Sequence, residues 1–250
     1  MTWELNLGDC IEGMRGLPDK SVDHVIADPP YSQHVHGNAM STDRSGAGIV
    51  VDLGFKHLNA EDMTALAEQY ARLTRRWIAV FSDIESAHLW RDSLTRYGVD
   101  YIRTCFWRRT NAMPQQTGDR PAAFCEAITI YEAITLCHPR GRKRWNGGGK
   151  AGDYPFPTVQ GADRCHPTQK PLSLMRQLVA DFTDPGELIL DSHAGSGTTG
   201  AACLELGRRF VGWELDPKHY ATASKRLTEV SKQQPLFKAA TTQEQERLPL

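Results

Sequence analysis

Leu188-Ile189-Leu190-Asp191-Ser192-His193-Ala194-Gly195-Ser196-Gly197-Thr198-Thr199-Gly200 is an apolar run that enters a glycine turn, and the helix-forming Ala201-Ala202-Cys203-Leu204-Glu205-Leu206 follows it. Strand, glycine turn and helix in this order predict a βα unit of a wound sheet, with the backbone at the helix N-terminus facing a ligand. Gly195, Gly197 and Gly200 satisfy G-x-G-x-x-G, the spacing at which glycines let a backbone approach a nucleotide. The next apolar run, Phe210-Val211-Gly212-Trp213-Glu214-Leu215, ends in an acid suited to two ribose hydroxyls. This half of the chain therefore points to a nucleotide-cofactor site, with Asp191, His193, Gly195, Ser196, Gly197, Thr198 and Glu214 as its candidates.

Only 50 residues follow Gly200, which is short for the further βα units that an NAD domain builds after its glycine loop. The nucleotide part of S-adenosylmethionine can use the same architecture without a pyrophosphate. Upstream, the apolar run Val22 to Ala27 leads into Asp28-Pro29-Pro30-Tyr31. The proline rings fix φ, remove two N–H donors and push their predecessors toward extended geometry, so the Asp28 carboxylate and the Pro29 carbonyl stand as acceptors. Beside them Tyr31 offers an aromatic face. Two acceptors and a stacking ring suit an exocyclic amine of adenine or cytosine on a base flipped out of a duplex.

The tetrapeptide resembles the catalytic motif of amino-group DNA methyltransferases, and the resemblance extends over roughly residues 3 to 231 in the β-type permuted order, with the catalytic strand first and the cofactor strand last. It implies catalytic roles for Asp28, Pro29, Pro30 and Tyr31. The opening Trp3 to Cys10 resembles the family's strand whose terminal acid meets the cofactor adenine, which implicates Asp9 and the adjoining Cys10. His166-Pro167-Thr168-Gln169-Lys170-Pro171 resembles the segment opening the helix at the methionine end of the cofactor, which implicates Thr168 and Lys170. Where the family commonly has Asp-Pro-Phe, this chain has Asp191-Ser192-His193, and His193 stands at the aromatic position. The resemblance implies S-adenosyl-L-methionine as cofactor and double-stranded DNA as partner, and allows a homodimer and a cognate restriction enzyme. Asp28 at the head of the motif, where many cytosine N4 enzymes carry Ser, favours adenine N6. An NAD-dependent oxidoreductase would explain the glycine loop but not Asp28 to Tyr31. A catalytically inactive DNA-binding protein would explain the basic loop described next, but not two intact motifs.

With 250 residues, 40 % of them hydrophobic, the chain can bury one sizeable core. Residues 1–231 are expected to form one methyltransferase domain and the polar, aperiodic 232–250 a tail. Basic and acidic residues balance at 29 and 30, so a DNA surface must come from local clustering. The stretch His138 to Lys150 has five basic residues and no acid. Arg140, Arg142, Lys143, Arg144 and Lys150 are expected to bind DNA there, in a target-recognition loop at about 138–165, with Arg103, Arg108, Arg109 and Arg120 extending the basic face. Six cysteines without a Cys-x-x-Cys predict buried thiols and no metal site. The absence of an apolar run of ~20 residues and of a charged, apolar leader predicts a cytoplasmic protein.

Strands are predicted at 3–8, 22–28, 76–82, 100–107, 126–137, 187–192 and 210–215, and helices at 10–17, 60–75, 84–97, 171–183, 198–207 and 217–230. Their alternation predicts an α/β, doubly wound, mostly parallel seven-stranded sheet of the Rossmann-like methyltransferase kind, circularly permuted. The strands at 100–107 and 126–137 have no helix between them and should form an antiparallel hairpin. Residues 32 to 57 read as a long loop following the tetrapeptide, with His34 and His36 as DNA contacts.

Overall fold

The computed structural model describes residues 2–30, 58–111, 131–161, 164–166 and 168–233, and the backbone of 40–42 and 48–50. In chain order the strands are β1 (Trp3–Leu7), β2 (His24–Ala27), β3 (Met40–Thr42), β4 (Gly48–Val50), β5 (Ile78–Ser82), β6 (Val99–Arg109), β7 (Tyr131–Pro139), β8 (Asp153–Phe156), β9 (Leu188–Asp191) and β10 (Arg209–Glu214). The helices are α1 (Cys10–Arg15), α2 (Ala60–Leu73), α3 (Ala87–Arg96), α4 (Leu172–Phe182), α5 (Thr198–Glu205) and α6 (Pro217–Ser231).

The main sheet has eight strands in the order β1-β10-β9-β2-β5-β7-β6-β8. Five neighbours from β1 to β5 run parallel, and β7 is antiparallel to both β5 and β6. The expected hairpin is thus present as β6–β7. The expected count of seven was one short, because β8 pairs in parallel with β6 at the sheet edge. β8 has four residues, one of them Pro155, and two of its side chains are exposed. So short a strand shows almost no period, and proline is admissible in it because the edge demands fewer N–H donors. Within the stretch expected to be one loop, β3 and β4 form an antiparallel pair.

β2 and β5 are buried at every position, as strands covered on both faces require. Alternation along β5 assigns the two layers: Ile78 and Val80 pack with Met14, Leu66, Tyr70 and Trp90 of α1, α2 and α3, whereas Ala79 and Phe81 pack with Leu178, Phe182 and Leu227 of α4 and α6. Helix starts follow local chemistry. The Asp9 carboxylate accepts the Glu12 N–H, Asn59 accepts the Asp62 N–H, and Asp216 accepts the N–H groups of Lys218 and His219 ahead of α6.

Candidate active site

β9 leads through α5 to β10 on one side, and β2 leads through α2 to β5 on the other, although β9 and β2 are neighbours. This reversal opens a crevice at the carboxyl ends of the strands, where wound sheets bind ligands. Asp28 follows β2, Asp191 ends β9, Glu214 ends β10 and Asp9 follows β1; Arg109 ends β6 and Glu132 lies near the start of the antiparallel β7. All six line one cavity of about 890 Å³.

At the ends of β9 and β10, Glu214 is oriented by two backbone donors: Gly195 N–H to Oε2 at 2.8 Å and Asp216 N–H to Oε1 at 2.9 Å. Each oxygen retains a lone pair for a ligand hydroxyl. Asp191 is fully buried and accepts the His193 N–H at 3.0 Å. Burial pushes its carboxyl up to about 7, against the hydrogen bonds from Thr199 and His193, with Asp28 and Glu214 adding repulsion. The acids around this cavity, Asp9, Asp28, Glu132, Asp191 and Glu214 among them, match a cationic ligand such as a sulfonium with its ammonium group. His193 is pushed down to about 4 by burial and is therefore neutral; its Nδ1 is 2.8 Å from Ser192 Oγ, which is 2.5 Å from the Tyr70 hydroxyl, and its Nε2 is 3.8 Å from Cys10 Sγ. The Cys10 thiol is pushed up to about 12, mainly by burial, and is no thiolate nucleophile. Thr168 is exposed, with its N–H donating to His166 Nδ1 at 3.2 Å.

The glycine loop corrects one expectation. Gly195 and Gly197 have φ of +52° and +74°, where a side chain is strained. A Cβ on Gly197 would stand 3.0 Å from Ala223 Cβ of α6, and one on Gly200 would stand 2.7 Å from Leu227 Cδ2 and 2.9 Å from Phe210. Gly197 and Gly200 therefore let α5 approach α6 and β10, rather than clearing space for a ligand. Ser196 and Thr198 line the cavity, but their hydroxyls are 2.9 Å apart and Thr198 Oγ1 also accepts from Arg226 at 2.9 Å.

On the opposite wall, Asp28 Oδ2 accepts from Lys170 Nζ at 2.5 Å, while Asp28 Oδ1 is buried without a hydrogen-bond partner among the described residues. Lys170 also lies 3.1 Å from Glu132 Oε2, and Glu132 Oε1 accepts from Arg109. Lys170, expected at the methionine end of a cofactor, is thus tied to the acid of the tetrapeptide. Pro29 and Pro30 line the cavity, whereas Tyr31, like His34 and His36, lies outside the described residues.

Residues 22–225 match the DNA methylase family of the N6/N4 type. The chain belongs to that family. It is 26 % identical over 246 residues to the Type II methyltransferase M.HinfI of Haemophilus influenzae, covering 89 % of this chain and 67 % of the relative. The fold is shared with the M1.HpyAVI–SAM complex (TM-score 0.66, 23 % identity, 90 % of this chain and 98 % of the other). It is shared too with the PvuII cytosine-N4-specific DNA methyltransferase (TM-score 0.69, 13 % identity, 93 % and 92 %). Membership makes this chain an S-adenosylmethionine-dependent DNA methylase acting on an amino group, which removes the oxidoreductase alternative.

In this methylase the basic segment does not join the cavity. β7 runs away from the site, so Cys137 stands beside Ile78, the first residue of β5. Beyond it, Lys143 binds Asp100 at 2.9 Å, Arg144 meets Asp184 at 3.2 Å and its carbonyl accepts from the Trp77 indole, and Lys150 binds Asp181 at 2.5 Å. Arg140, Arg142, Lys143, Arg144 and Lys150 thus follow the strand end opposite Asp28, and three of the five already hold acids. The sequence argument missed Glu132, which belongs to no motif, and counted Arg109 only as part of a basic face. Four of the six cysteines, 105, 137 and 203 buried and 10 half-buried, fit the expected thiols, Cys165 is exposed and Cys125 lies outside the described residues. No described helix is long and apolar enough to cross a membrane.

Proposed function

We propose that this methylase transfers a methyl group to adenine N6 of a base flipped out of double-stranded DNA. The observation that carries the assignment is the divided Asp28 carboxylate: Oδ2 is held by Lys170 and Oδ1 is without a hydrogen-bond partner among the described residues, on the wall of the cavity that Glu214 and Asp191 also line. S-adenosylmethionine supplies an electrophilic methyl group on a sulfonium when it is bound. Glu214 would hold its ribose hydroxyls, Asp9 and Cys10 its adenine, and Asp191 would face its positive charge. Asp28 Oδ1 and the Pro29 carbonyl would each accept one hydrogen of the target amine. Those two bonds localise the nitrogen lone pair, which is otherwise delocalised into the base, and orient it for attack. Tyr31 would stack on the base. The methylated nitrogen is acidic and sheds its proton without a tuned base, so no cysteine or histidine takes part in bond making.

Asp rather than Ser at the head of the tetrapeptide supports adenine over cytosine N4. Digesting methylated DNA to nucleosides and separating them by mass spectrometry tests this. N6-methyladenine is the expected product; N4-methylcytosine as the main product would reverse the choice of base and leave the roles of Asp28 and Pro29 in place.

A further inference from the structure

Glu132 is 4 % exposed, and a carboxylate buried to that degree must be paired. Its two oxygens are divided between Arg109 and Lys170, and Lys170 is in turn divided between Glu132 and Asp28. The row Asp28, Lys170, Glu132, Arg109 alternates in sign and is assembled from the residue after β2, the segment before α4, β7 and β6. The rings of Phe81 and Trp107 also lie near the ammonium, at 5.1 and 5.8 Å. Desolvation disfavours a charged ammonium, and an ion pair that loses one member inside a protein leaves an uncompensated charge.

We propose that Glu132 is a positioning residue for methyl transfer, acting through Lys170. It anchors the same ammonium that Asp28 Oδ2 binds, which leaves Oδ2 tied back and Oδ1 for the amine. This inference rests on the methyl-transfer function and adds to it a residue argued to act through Lys170. Among the described residues, Asp28, Glu132, Arg109 and Asp191 are charged groups near Lys170; burial pushes its pKa down, Asp28 raises it, Arg109 lowers it and Asp191 raises it. Without Glu132, Lys170 loses an anionic partner while Arg109 still lowers its pKa. Lys170 then loses its proton at lower pH.

The experiment is the pH profile of kcat on duplex DNA for the parent, Glu132→Gln, Glu132→Asp and the double variant Arg109→Gln/Glu132→Gln. Glu132→Gln is expected to lower kcat about tenfold at neutral pH with both KM values within about threefold, and to move the alkaline limb down by about one pH unit. Glu132→Asp should return the limb toward the parent. So should the double variant, which removes both charges together and remains informative if Glu132→Gln alone does not fold, as judged by its melting curve. An alkaline limb at the parental pH in Glu132→Gln, or one still displaced in the double variant, would overturn the proposal. A parent that binds cofactor and DNA but transfers no methyl group would instead overturn the functional assignment itself.

Discussion

At the carboxyl end of the sheet, Asp28, Lys170, Glu132 and Arg109 form a row of charges in which Lys170 and Glu132 are almost wholly removed from water, and one oxygen of Asp28 has no partner among the described residues. At the opposite end, Lys143 and Arg144 also meet acids, but both pairs are largely exposed. The residue types are the same, and the physics differs through solvent. Exposed pairs contribute about 0–1 kcal/mol each and are screened by salt. The buried row carries a large desolvation cost, offset by the pairing of its members, and one oxygen of Asp28 is left without a partner among the described residues. Charge density along the sequence marked the second region, whereas the first lines the cavity on which the proposed methyl transfer rests.

The sharpest way to break this contrast is Asp28→Ala, which should lower methyl transfer by about a thousandfold or more while cofactor affinity stays within about threefold. Retention of most activity would move the chemistry elsewhere. Next in size is Gly197→Val: the left-handed φ and the approach of Ala223 should destabilise the protein itself by about 2–3 kcal/mol, visible as a lower Tm without cofactor. A variant as stable as the parent, weakened only in cofactor affinity, would return this glycine to the ligand.

Asp191 sharpens the comparison through pH. Its native pKa of about 7 lies above the ordinary carboxyl value, so ionisation costs stability progressively as pH rises from ~4 to ~7. A bound cation favours the ionised form, so cofactor affinity should climb with pH toward about 7, by at most about tenfold per unit, and level off above it. Calorimetry in buffers of different ionisation enthalpy should show proton release on binding near pH 6; an Asp191→Asn variant with the same pH dependence would point to another group. The smallest effect is expected at the far end. Neutralising Arg142, Lys143 and Arg144 together should cost about 1 kcal/mol or less of stability and leave the salt slope of DNA binding unchanged. A slope reduced by about 0.9 for each residue would make this segment a phosphate-binding surface after all.

All six described helices and seven of the strands in the main sheet were legible from the chain, because burial imposes a period of 3.6 or 2 on apolar residues. Asp28, Asp191 and Glu214 were legible for a related reason: each follows or ends an apolar run, and in a parallel sheet every such end lies on the same side. β8 escaped because four residues at an edge need no alternation. The basic segment was misplaced because its neighbours in sequence, the hairpin before it and the helix after it, say nothing about which end of the antiparallel β7 it leaves. That is settled by register, Cys137 beside Ile78, and register comes from pairing between strands more than fifty residues apart. Glu132 became part of the site by the same pairing. Local periodicity and backbone stereochemistry thus set the elements and their polarity, while long-range pairing and desolvation selected which charges face the cavity and which are spent on the surface.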